Sequence, residues 1–238
     1  MDNAGYTTLN RQSGLMAEMQ AVANNIANLS TAGFRKEGVI FAEHVAGLGR
    51  DEPSLSMAHA RARIVDLQQG PLTETRGRFD FAIEGEGFFL IETPEGNQLT
   101  RAGSFTPSAE GELVTPDGHR LLDAGAAPVF VPPGAGSVAL AADGTLSADG
   151  APLTQIGLFV PADPKDLQHR GGTRFAAEAG VEPLEGGVIL QGFIENSNVN
   201  AVEEIARMIE VQRAYELGQT FLDREDERIR GVISTLSR

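Results

Sequence analysis

Apolar residues recur at helical spacing at both ends of this chain and at strand spacing in between. From about Thr8 to Leu29, Leu15, Val22 and Leu29 stand seven residues apart, with Met19 and Ile26 four residues after the first two. Two interleaved rows of this kind form an a/d stripe, the pattern that seats one helix face on a partner helix. Asn28-Leu29-Ser30-Thr31 then brings polar groups that compete for the backbone, and Gly33 suits the left-handed conformation that ends a helix. Phe34 is expected to fold back onto the last turn. Helical spacing returns from about Ala201 to Leu236, where Met208, Tyr215, Leu222, Ile229 and Leu236 stand at sevens. The companion row holds Ile205 and Ile233 but is interrupted by Gln212, Gln219 and Asp226. Asn196-Ser197-Asn198 is placed to cap this second helix, with Glu203 and Glu204 near its positive end.

Between the helices the period changes. Phe79-Asp80-Phe81-Ala82-Ile83 alternates, and Gly87-Phe88-Phe89-Leu90-Ile91, Val129-Phe130-Val131 and Ile156-Gly157-Leu158-Phe159-Val160 are further strand candidates. Glu95-Gly96-Asn97, Glu110-Gly111, Asp117-Gly118, Asp143-Gly144 and Asp149-Gly150 punctuate them as turns. The segment around Gly111 to Gly118 echoes that around Gly144 to Gly150, which suggests two similar hairpins. The predicted fold class is therefore mixed: a mainly β central domain flanked by N- and C-terminal α-helices. The expected division is 1–38 for the first helical segment, 39–190 for the β-rich domain with a connecting arm, and 191–238 for the second helical segment. Periodicity alone leaves open whether the helix stripes face each other, another molecule, or the β region of their own chain. Their length, exposed stripes and terminal position suggest segments that order on polymerisation.

Composition narrows the function classes. Twenty-eight glycines in 238 residues, without a collagen period, fit a region rich in tight turns. The net charge is −14, and Lys36 and Lys165 are the lysines present. An acidic surface opposes binding to nucleic acid, whose affinity for proteins comes largely from Lys and Arg displacing counterions, and it disfavours anionic membranes for the same reason. No run approaches the length of apolar sequence needed for membrane insertion, and the opening Met1-Asp2-Asn3-Ala4-Gly5-Tyr6 does not read as a cleavable signal peptide. Cysteine is absent, which removes disulfides, thiolate metal sites and redox pairs.

Candidate chemistry is sparse. His44, His59, His119 and His169 have no metal-ligand spacing and are expected as scattered surface residues. Gly85-Glu86-Gly87 lacks the third glycine of a dinucleotide loop and leads into a strand pattern. The loops at Asp143 and Asp149 lack the alternating carboxylates and closing Glu of a calcium site. No catalytic residue, cofactor site or metal site is expected. Asn24, Asn25 and Asn28 have two open readings: amides facing a helix seam, where they fix register, or amides that are exposed or end the helix.

Several stretches together resemble a known family. They are Val22-Ala23-Asn24-Asn25-Ile26-Ala27-Asn28-Leu29-Ser30-Thr31-Ala32-Gly33-Phe34, Phe81-Ala82-Ile83-Glu84-Gly85-Glu86-Gly87-Phe88-Phe89, Thr100-Arg101-Ala102-Gly103-Ser104-Phe105, and Gln191-Gly192-Phe193-Ile194-Glu195-Asn196-Ser197-Asn198-Val199-Asn200. In order and position they resemble the bacterial flagellar rod and hook family, and the opening from Tyr6 to Met19 is most similar to its proximal rod members, with the distal rod members or another axial hook-basal-body component as the alternative. Leu99 departs from the aromatic residue that family members often carry there. The resemblance implies a non-enzymatic subunit of the periplasmic rod whose terminal helices pair as a coiled-coil-like inner domain. Leu15, Met19, Val22, Ile26, Leu29, Met208, Tyr215, Leu222, Ile229 and Leu236 are then the expected assembly seam. Asn24, Asn25, Asn28 and Gly33 are expected to set register or end a helix. The implied partners are copies of the chain itself, other rod proteins, and the flagellar type III apparatus that exports it.

Overall fold

The computed structural model describes residues 2–46 and 55–236, which form an N-terminal helix, a β-rich region and a C-terminal helix. They fall into two compact units. The first contains helix α1 (Asp2–Ala27), most of a hairpin of β1 (Glu37–Ala46) and β2 (Leu55–Val65), and helix α2 (Ala201–Leu236). The second comprises residues 28–36 and 65–199. Residues 28–36, expected with the first helix, thus belong to the β-rich unit, and most of the expected connecting arm groups with the helices. The hydrogen bonds of the 28–36 segment account for its placement. Gly33 N–H donates to the Glu195 carbonyl at 2.7 Å, Lys36 N–H to Asn198 Oδ1 at 2.7 Å, and Asp66 N–H to the Lys36 carbonyl at 2.8 Å.

The β-rich unit is built on a seven-stranded antiparallel sheet. Its strands run in the spatial order Leu167–His169, Arg174–Ala177, Gly96–Thr100, Phe89–Thr93, Arg120–Leu121, Leu113–Val114 and Thr106–Pro107. Period-two alternation explains why Phe89–Thr93 lies at its centre: Phe89 enters one apolar cluster with Phe81, Leu113 and Leu146, while Leu90 enters another with Leu99 and Phe175. A strand covered on both faces reads as a continuous apolar run, and Phe88-Phe89-Leu90-Ile91 is one. The echo in the sequence falls partly into a separate three-stranded sheet, Val138–Leu140, Thr145–Ala148 and Ala151–Gln155. Gly144 and Gly150 take positive φ at its turns.

Some expected elements differ. Val129-Phe130-Val131 is buried at Val129 and Val131, yet it pairs only through isolated bridges. Pro128, Pro132 and Pro133 flank it and supply no N–H donors, which prevents a longer ladder. Phe34 is buried, its ring centroid 5.3 Å from that of His169. The Gly33–Glu195 hydrogen bond fixes the chain before it and sets that course. His169, expected on the surface, is partly buried: its ring also lies 4.3 Å from Phe175, and its Nε2 is 3.2 Å from the Arg35 carbonyl oxygen. The side chains of His44 and His59 lie outside the described residues. No described helix is long and apolar enough to cross a membrane.

Candidate assembly site

The two helices run antiparallel, as three cross-helix contacts establish. Gln12 Nε2 donates to the Tyr215 carbonyl at 2.9 Å, Arg207 Nε donates to Glu18 Oε1 at 2.6 Å, and Asn25 Nδ2 donates to Glu204 Oε2 at 2.9 Å. Residue numbers rise along α1 as they fall along α2. Leu15 and Val22 are buried, and Met19, Ile26, Met208, Tyr215 and Leu222 are half-buried. Ala21 and Val211, outside the expected rows, are the most buried apolar residues among the described side chains of the two helices. Leu29 lies past the end of α1 in the following turn, half-buried. Ile229 and Leu236 are exposed, the latter at 82%.

Around Asn25, polar groups inside the helical unit are matched to one another. Asn25 is fully buried; its Nδ2 also donates to the Glu37 carbonyl at 2.9 Å, and its Oδ1 accepts the Glu37 N–H at 2.8 Å. One amide thus ties α1 to the start of β1 and, through Glu204, to the first turn of α2. Of the two readings open for Asn25, exposure is excluded. Asn28 closes the helix end, its Oδ1 accepting from Thr31 Oγ1 at 3.0 Å. Asn24 is half-buried. Gly33 has φ +75°, and a Cβ there would run into the backbone of Ala102. That position admits only glycine without rearrangement. Glu18 and Glu204 are buried acids, and the hydrogen bond from Arg207 to Glu18 holds the Arg207 guanidinium above its ordinary pKa. The cap of α2 is Asn200, whose Oδ1 accepts Val202 N–H at 3.0 Å, and not the expected 196–198 stretch.

The helix pair carries two outward features. A groove of about 410 Å³ opens along the pair, with Thr8, Arg11, Gln12 and Leu15 on one side and Ala214, Leu217, Gly218 and Phe221 on the other. Among the described residues, Arg11 is its one charged lining residue, and Gln12 Oε1 is buried without a hydrogen-bond partner. The missing side chain at Gly218 makes room for the Gln12 amide, which a Cβ there would strike. Thr8 and Phe221 mark the far end of this contact. Asp2 lies six residues before Thr8, about 9 Å at helical rise, so the described part of α1 reaches residues near 227 and the last turns of α2 overhang it. From Asp226 to Leu236 every residue is exposed. Ile229, Val232, Ile233 and Leu236 form an i, i+3, i+4, i+7 stripe on that overhang. Its flanking charges pair within the helix: Arg228 with Glu225 at 2.9 Å and Arg230 with Asp226 at 2.8 Å.

The β-rich unit holds a buried ion cluster. Glu195 Oε1 lies 2.9 Å from Arg35 NH2, Oε2 accepts from Arg101 NH1 at 3.0 Å, and Oε1 also accepts Gly70 N–H at 2.8 Å. All three charged side chains are at most 3% exposed. Burial pushes the Arg35 guanidinium down from its ordinary pKa, against the pull of Glu195, and pushes Arg101 down to about 10. At about 10, Arg101 stays charged at neutral pH. The Arg35 NH1 donates to the Gln68 carbonyl, and Arg101 NH2 donates to Gly85 O at 2.7 Å, with its guanidinium carbon 5.2 Å from the Phe88 ring centroid. Sequence periodicity could not find this cluster, because residues 35, 101 and 195 share no local spacing. Among the described residues, no group of three or more His, Asp or Glu is placed to hold a metal ion.

Comparison with known proteins places this architecture. Residues 6–35 match the model "Flagella basal body rod protein", residues 82–148 the "Flagellar hook protein FlgE/F/G D1 domain", and residues 190–235 the "Flagellar basal body rod FlgEFG protein C-terminal". The flagellar basal-body rod protein FlgF of Caulobacter vibrioides is 37% identical over 245 residues, covering 100% of this chain and 99% of that protein. FlgF of Mesorhizobium japonicum is 37% identical, covering 91% of this chain and 90% of its own length. FlgG of Bacillus subtilis is 28% identical, with 96% and 97% covered. Identity at that level, sustained from end to end of both chains, decides the relationship: the chain belongs to the family of flagellar basal-body rod proteins, and within it resembles FlgF.

Proposed function

We propose that this chain is a structural subunit of the proximal rod of the bacterial flagellum, assembling through its terminal helices and passing torque from motor to hook. The end-to-end identity to FlgF proteins carries this reading. Proteins of this family are structural, and the chain is not an enzyme. In the finer reading, α1 and α2 pair as a coiled-coil-like inner domain with Leu15, Met19, Val22, Met208, Tyr215 and Leu222 along the seam. The burial of Leu15 and Val22 and the antiparallel contacts at Gln12, Glu18 and Asn25 support it. Ile229 and Leu236 are left to contacts outside the chain. Partners in this reading are copies of the chain, other rod proteins and the flagellar type III export apparatus, and the assembled location is the periplasmic rod.

A rod under torsion needs contacts that are repeated and hard to slip. Apolar seams supply the drive, at about 25 cal/mol per Å² buried, and matched polar groups supply register, because a slipped pairing would strand the Asn25 amide away from Glu37 and Glu204. The test is deletion of the gene in its native bacterium, with basal bodies purified and imaged. Arrest before rod completion, reversed by the intact gene and not by one encoding Val22→Asp, is the expected result. Complete rods in the deletion strain would end this reading.

A further inference from the structure

We propose that the Asn198 amide and the Glu195 carboxylate form one joint, which gathers the chain at three of the four places where it passes between the two units, so that these crossings open together and share load. The load-sharing part rests on the rod-subunit reading. The chain passes between the units after residues 27, 36, 64 and 199. Lys36, Asp66 and Asn198 stand within two residues of the last three crossings, all in the β-rich unit. Asn198 Oδ1 accepts Lys36 N–H at 2.7 Å, and its Nδ2 donates to the Asp66 carbonyl at 3.2 Å and to the Gln68 carbonyl at 2.9 Å. One side chain thus ties the other two segments together. The Gln68 carbonyl also accepts from Arg35 NH1, and the Arg35 guanidinium meets Glu195, so a single oxygen links the two centres. Glu195 closes the same segments from its side: its carbonyl accepts Gly33 N–H, and its Oε1 accepts Gly70 N–H.

The local structure explains why the joint acts as one. Residues 34–36, 66–71 and 196–200 belong to no helix or strand, so no ladder of their own holds them. Their backbone groups are satisfied across the joint: Asp66 N–H donates to the Lys36 carbonyl at 2.8 Å, and Asn196 N–H to the Pro71 carbonyl at 2.9 Å. Gly70 permits this approach, since a Cβ there would strike the Asn196 carbonyl. The segments lie far apart in sequence, so gathering them costs loop entropy once, and each further bond forms at little extra cost. Peeling away the 34–36 segment by itself takes Arg35 off Glu195 and strands a charge among side chains at most 3% exposed. A half-open joint is therefore less stable than a closed or a fully open one, which is the condition for all-or-none behaviour. Tension arriving along any of these three crossings meets the whole joint, with Arg101 as a further anchor, and not one irregular segment that peels away alone.

Amide exchange on the monomeric full chain tests the joint. Gly33 and Gly70 N–H donate to Glu195 and not to Asn198, so they report whether the two centres open together. In Asn198→Ala the Gly33, Lys36, Asp66 and Gly70 amides should all exchange roughly 30-fold faster, the scale of about two net hydrogen bonds, while Phe89–Thr93 keeps its protection. Asn198→Asp retains the acceptor for Lys36 N–H and loses both donors; it should do the same, and it serves where the alanine variant does not fold. Acceleration at Lys36 alone, or at none of the four, would show independent bonds and overturn the joint. Acceleration reaching Phe89–Thr93 equally would make Asn198 a general stability residue, which also overturns it. For load, Asn198→Ala supplied to the deletion strain should support swimming in dilute medium and lose it in viscous medium, where drag is greater. A core variant matched to it in urea stability, such as Leu146→Val, should swim in both. Equal failure of the core variant, or swimming by Asn198→Ala in both media, would overturn load sharing. Failure already in dilute medium would do so too, because the joint would then serve assembly itself. None of these outcomes touches the deletion test, so rod membership would stand while the joint fell.

Discussion

Removing the carboxylate of Glu195 leaves two buried guanidinium groups, Arg35 and Arg101, without their shared counter-charge, and also strips Gly70 of its acceptor. Breaking a buried ion pair from one side costs about 3–5 kcal/mol, far more than an exposed pair contributes, because the abandoned charge cannot be rehydrated. Glu195→Ala should lower the stability of the chain by that amount in urea unfolding, and Glu195→Gln by less, since the amide oxygen still accepts. A loss below about 1 kcal/mol for the alanine variant would mean that water reaches the guanidinium groups and that the cluster is not the pin described. The same residues show where sequence reading stopped. Glu195 was visible only inside a family motif, and Arg35 and Arg101 carried no signal of burial. Their partners lie tens of residues away, and charged side chains are ordinarily exposed. The helix-end pattern points to Asn25, but its partner Glu204 reads as a helix-dipole charge, and nothing local indicates that the two meet.

At the scale of elements, both helices were legible because a 3.6-residue period persists over many turns, whereas Val129–Val131 was misread as a strand because its apolar run hides the prolines around it. Heptad spacing located α2 but treated all of its length alike. The structure divides it: up to about Phe221 it packs along α1, and from Asp226 it is exposed throughout. Local opening is governed by how many buried contacts a turn must break. Amide exchange on the full chain, at a concentration where it is monomeric, should therefore protect residues 12–25 and 204–215 by clear margins over 226–236. The helical unit would then be ordered before assembly with one loose end, not loose at both termini. Uniform fast exchange across 12–25 and 204–215 would contradict this and return both helices to ordering only on polymerisation. Uniform protection through 236 would show that the overhang is stabilised without a partner.

For the whole molecule the deciding quantity is charge. Each copy carries −14, so approach of two copies is opposed by a repulsion spread over the surface, while Arg11 in the groove offers one local attraction. Both are screened by salt, and they predict opposite trends. A single exposed pair contributes up to about 1 kcal/mol, and screening removes most of it. The repulsion sums over many charges separated by more than a Debye length, about 10 Å at 0.1 M salt, so screening relieves the larger of the two. Burial of Ile229, Val232, Ile233 and Leu236 is not weakened by salt, since apolar transfer does not depend on charge. The weight-average mass of the intact chain in sedimentation should thus rise as sodium chloride goes from about 0.02 to about 0.3 M, across the range where the Debye length shrinks below 10 Å. A mass that falls over that range would assign self-association to charge pairing, and the apolar stripe at the end of α2 would lose its place as the force that draws copies together.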